Sequence, residues 1–142
     1  MEVVHVFVST GRFGSFEEMR AFVEETYTED GDGIDSAFGA EVGLEQYEPM
    51  CIECVYSPSP VPLGELLAGA SHAETWLPKL DGARLVGEAI YVFPPNKLAK
   101  PEASSLEYLG AFEFQVVHPE WFLKILDDMT VARSEGDVEP SR

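Results

Sequence analysis

The chain is short of positive charge. Nine Lys and Arg stand against 26 Asp and Glu, for a formal net charge of −17. Such a surface repels nucleic acid and anionic membrane, and it attracts basic proteins. The only local basic pair, Lys97 and Lys100, has no interleaved aromatics to make a nucleic-acid site. Cysteine is scarcer still: two residues cannot build a disulfide framework. The three histidines are scattered, so no metal-ligand or nucleophile-base spacing emerges. No apolar run approaches the roughly 20 residues that span a bilayer. The N-terminus has neither a positive region nor a cleavable leader, so cytoplasmic residence is expected. Gly11 and Gly14 do not fit GxGxxG, and no Lys-Ser/Thr follows them, which excludes a nucleotide loop of that kind.

What is present points to one folded domain. The chain has 142 residues and an apolar fraction of 45%, enough for a single core and too apolar for disorder. We expect a domain over residues 1–132 and a polar tail over 133–142. Its organising stretch is residues 15–48, where 11 carboxylates face one base, Arg20. Ser15 is a good N-cap, and Glu18 stands in the capping-box position three residues later. Phe16, Met19, Phe22 and Val23 then form an apolar stripe with helical spacing, and the helix is expected to end near Tyr27. Glycines 31 and 33 break the following segment into a tight loop crowded by Glu29, Asp30, Asp32 and Asp35. Oxygen-rich loops suit calcium, but the spacing is not that of an EF-hand. A solvated or partner-binding loop fits better. Phe38 to Leu44 is expected to return to the domain as a short strand or extended turn.

Period-two runs mark strands at 2–9, 50–56, 84–93 and 106–117. In the second, Met50, Ile52, Cys54 and Tyr56 share one face, with Cys51, Glu53 and Val55 on the other. Cys51 and Cys54 match CxxC, but they sit in a strand pattern rather than at a helix start, and no second pair exists for zinc. Pro58, Pro60 and Pro62 read as a stiff connector to a short helix at 63–70. His72 reads as a loop or helix-boundary residue rather than a base. Trp76 reads first as core and second as an interface anchor. In the last run Tyr108, Phe112, Phe114 and Val116 share a face, with a bulge allowed at Gly110. The runs at 84–93 and 106–117 are expected to pair antiparallel. Pro119 opens a C-terminal helix whose apolar stripe is Trp121, Phe122, Ile125, Leu126 and Met129, with His118 at the boundary. The sum is an α+β fold, one mainly antiparallel sheet flanked by helices.

No nucleophile, base or metal cluster converges in the pattern, so the chain is expected to bind rather than catalyse, without a cofactor. The alternatives are an acidic protein-binding adaptor and a small hydrolase. The opening VHVFVSTGRFGSFEEMRAFVEETYTEDGD, followed by SAFGAEVGLEQYEP, resembles the bacterial immunity protein 22 family of polymorphic-toxin systems. The likeness extends through Ile52 and Glu53, the LGELLAGASHAETWLPK stretch and Tyr108-Leu109-Gly110. The chain departs from the family at Phe7-Val8-Ser9, where Trp-Ile/Leu-Gly is common. It departs again at Glu48-Pro49-Met50, where more acids are usual. The resemblance implies neutralisation of a cognate toxin by binding and carries over no catalytic residue. A toxin with a basic active-site groove, such as a nuclease delivered by a type VI or contact-dependent system, would complement the charge. Glu29, Asp30, Asp32 and Asp35 are the expected contact residues. Glu41, Glu45 and Glu48 are their expected neighbours, Trp76 and then Tyr108 the candidate aromatic anchors, and a homodimer is left open.

Overall fold

A computed structural model describes residues 2–116. The helix expected from Pro119, His118 and the tail at 133–142 lie outside the described residues. The elements are β1 (Val3–Ser9), α1 (Phe16–Val23), β2 (Thr26–Tyr27), β3 (Gly33–Ile34), α2 (Ala37–Val42), β4 (Ile52–Pro62), α3 (Leu63–Leu66), α4 (Ala73–Trp76), β5 (Leu85–Val92) and β6 (Glu107–Glu113). Four strands form one antiparallel sheet in the order β4-β5-β1-β6, and β2 and β3 form a separate two-stranded ribbon. This is the expected α+β architecture.

Strand β1 sits inside the sheet with both faces covered, as its doubly apolar pattern requires. Val4, Val6 and Val8 join an apolar layer with Leu63, Leu67, Trp76, Val86, Ala89 and Tyr91, under α3 and α4. Phe7 joins the opposite layer with Met19, Val23, Phe38, Val42, Ile90 and Val92, under α1 and α2. Helix α1 is capped as the sequence indicates: Glu18 N donates to Ser15 Oγ at 3.1 Å. The return contact goes one residue earlier than in a standard capping box, with Gly14 N donating to Glu18 Oε2 at 2.7 Å.

Five expectations are corrected. Helix α1 ends at Val23, not near Tyr27, because Thr26 and Tyr27 pair with Ile34 and Gly33. Phe38 lies in helix α2 rather than in a strand or extended turn. Ser36 Oγ accepts Gly39 N at 2.9 Å, Phe38 and Val42 are buried one turn apart, and Gly43 closes the helix in the left-handed region with φ 65°. Strand β4 runs on through all three prolines, which an edge strand tolerates because its outer amides need no sheet partner. Strands β5 and β6 do not pair with each other, since β1 is inserted between them and pairs with both. Finally, Tyr108 does not share a face with Phe112 and Phe114. The register shifts between Val6 and Phe7 and leaves Leu109 unpaired, and Gly110 takes φ 127°. One extra residue reverses the alternation, so Tyr108 packs on the Phe7 side while Phe112 and Phe114 pack on the Val4 side.

Candidate functional site

The acidic loop is the turn of the β2–β3 ribbon. Gly31 N donates to Thr28 O at 2.9 Å and Thr28 N donates to Asp32 O at 2.9 Å. Gly31 adopts φ 87°. This is a three-residue hairpin loop, a turn followed by a left-handed glycine. Thr28 Oγ1 also accepts Asp32 N at 3.1 Å. The Thr28-Glu29-Asp30-Gly31 sequence was the available signal for this hairpin. Every residue from Thr26 to Asp35 is exposed. Among the described residues, ion pairs join Arg12 to Glu41, Arg20 to Glu24 and Arg84 to Glu107. Glu29, Asp30, Asp32 and Asp35 are in none of them. Like charges on a short exposed turn are left to water or to a cationic partner.

The other expected contact residues do not share this environment. The Glu41 carboxylate accepts Ser105 N at 2.7 Å and Ser105 Oγ at 2.9 Å, and lies 3.9 Å from Arg12. Glu45 is exposed, with its amide donating to Lys97 O at 2.9 Å. Glu48 is half-buried and its carboxylate accepts Met50 N at 3.1 Å, capping a 3-10 turn. Trp76 is core, the first of its two readings. It is fully buried, and its Nε1 donates to Ser71 O at 2.8 Å, which removes it as a surface anchor in this conformation. Tyr108 is half-buried with its ring centroid 5.0 Å from that of Phe7 and its hydroxyl 2.9 Å from His5 Nδ1.

Cys51 and Cys54 pack on opposite faces of the sheet. Three extended residues separate two positions by about 10 Å, beyond the roughly 7 Å limit for a disulfide. Burial is the first cause that pushes both thiols up, which disfavours the reactive thiolate. Cys51 lines a cavity of about 230 Å³ with Glu53, Ser71, His72, Phe93 and Phe114. There the Ser71 hydroxyl donates to the Glu53 carboxylate, and the His72 ring stacks on Phe114 at 5.5 Å. Among the described residues no three His, Cys, Asp or Glu side chains gather as a metal-holding group, and no helix is long and apolar enough to cross a membrane.

Pattern reading missed Glu88. It is 1% exposed inside β5 and accepts Ser9 Oγ at 2.6 Å, Arg12 N at 3.1 Å and Phe13 N at 2.8 Å. A lone carboxylate within RLVGEAIYVF was its signal, because a buried charge needs dedicated donors. It fixes the β1–α1 connector, from which the Arg12 guanidinium lies over the Phe22 ring at 4.7 Å.

Neither the curated proteins nor the solved structures include a match to this chain. The family described as Immunity protein 22 matches residues 6–115, a span that takes in the whole four-stranded sheet except the first residues of β1, and the chain belongs to that family.

Proposed function

We propose that this chain protects its cell by binding a cognate toxin and blocking it stoichiometrically, with the acidic ribbon as the first contact. Family membership supports the protective role. The observation that carries the choice of surface is the set of exposed carboxylates at Glu29, Asp30, Asp32 and Asp35, none of them paired with a base among the described residues. A toxin with a positive groove, such as a nuclease acting in the cytoplasm after type VI or contact-dependent delivery, complements that charge. The immunity protein occupies the groove in place of phosphate, and steering speeds the encounter.

The test is a titration of purified toxin. Inhibition should be complete at about one chain per toxin for a tight complex, and the toxin should keep its covalent mass. Protection by far fewer chains than toxin molecules, or a mass change in the toxin, would replace binding with turnover.

A further inference from the structure

The ribbon that carries the acidic turn presents one large apolar side chain on each face. Thr26 stands opposite Ile34, and Tyr27 opposite Gly33. Cross-strand partners project to one side and successive residues to alternate sides, so Tyr27 and Ile34 emerge on opposite faces. Tyr27 is 65% exposed and Ile34 50%. A ribbon lying against the body would bury one of the two. A Cβ placed at Gly33 would meet Tyr27 Cε1 at 3.8 Å, so the ring lies beside the glycine across the ribbon. At the root of the ribbon, Glu25 N approaches the Tyr47 hydroxyl at 3.4 Å, and Ser36 caps α2 just beyond it.

A single exposed aromatic needs no explanation. Two large apolar side chains on opposite faces of a strand pair, with an unpaired acidic turn at the tip, call for a partner with two walls. Building on the toxin-binding reading, we propose that residues 26–34 enter a cleft in the toxin. Tyr27 and Ile34 meet opposing apolar walls, and the carboxylates of the turn meet a cationic floor. Charge complementarity commits the site to a basic protein rather than a second copy of this chain, whose own ribbon carries the same negative charge. The two chemistries divide the kinetics. The carboxylates set the association rate, which depends on salt, and the apolar pair sets the dissociation rate, which does not.

The probe is the purified cognate toxin, inactivated at its catalytic centre. Tyr27→Ala and Ile34→Ala should each raise the dissociation rate about tenfold or more, as buried anchors do. Their association rates should stay within about twofold, the insensitivity expected of uncharged changes. Hydroxyl-radical footprinting of the unmodified complex should protect both side chains, which keeps the test independent of how the variants fold. Protection of one face only would mean that the ribbon lies flat, and would overturn insertion. Protection of neither face, with the toxin still bound, would overturn the ribbon site and leave toxin binding intact. A parent chain that fails to bind or inhibit the toxin would overturn both readings.

Discussion

Phe13 donates its backbone amide to Glu88 Oε2 at 2.8 Å, tying the loop after the central strand to the strand beside it. Ser9 and Arg12 supply two further donors to the same carboxylate, so a single buried side chain satisfies three groups of the connector. Glu88→Ala should cost roughly 2–4 kcal/mol, because it orphans those donors and leaves a void. Glu88→Gln retains one acceptor oxygen and should cost roughly 1–3 kcal/mol. Urea unfolding of the three proteins checks the order; a Glu88→Ala midpoint equal to the parent's would show that the connector needs no such anchor.

Asp30, Asp32 and Asp35 lie on the exposed ribbon and its exit. Changing all three to Asn keeps their size and removes three charges. Association with the toxin should slow most at low salt, where the Debye length is about 30 Å, and the difference should shrink near physiological salt, where it is about 8 Å. Stability should hold or rise slightly, since the change relieves repulsion among like charges. Stopped-flow mixing across a salt series, paired with denaturant unfolding, measures both. An unchanged association rate for the folded triple variant would remove this turn from the encounter.

Trp76 is buried against Tyr91 and Phe93, with ring centroids 5.9 Å and 6.2 Å away. Trp76→Ala should cost about 3–5 kcal/mol as a large core cavity opens. The fraction that remains folded should still associate with the toxin at the parent rate. A loss of binding without loss of stability would restore Trp76 as an anchor.

His5 is half-buried on the central strand, and burial holds its imidazole below the usual value of 6.5. The unfolded chain therefore takes up the proton first as pH falls. The sign follows: the neutral imidazole contributes its full stability above about pH 6.5, and that contribution declines as pH drops from there toward the folded-state value. His5→Gln should flatten this part of the stability profile. Unfolding midpoints from pH 7.5 down to about pH 5, the range in which an ordinary histidine titrates, measure the difference between the two proteins.

Much of the framework was legible because single residues carried local physics. Ser15 and Glu18 located the start of α1, and the period-two run at 2–9 located β1. The misses share a different cause. Helix α2 depends on Ser36 and Gly43 closing a six-residue helix around Phe38 and Val42, too short a span for periodicity to separate helix from strand. The reversal at Leu109 depends on registry with β1, which no local pattern contains. The place of β1 between β5 and β6 is likewise a pairing between distant segments. At the candidate site, charge density pointed to the acidic turn, but Tyr27 was absorbed into an overlong helix. Its exposure, and that of Ile34 on the other face, emerged only with the hairpin register.

Strand β4 lies at the rim of the sheet, and its second half carries Pro58, Pro60 and Pro62. Proline has no amide hydrogen to offer a neighbour. A foreign strand approaching that stretch would find no amide hydrogen at three of its residues, and a break in register between Tyr56 and Val61. The flank that would otherwise be open to stacking into fibrils is blunted by covalent structure alone. The chain can therefore accumulate in advance of a toxin without that half of the rim acting as a seed.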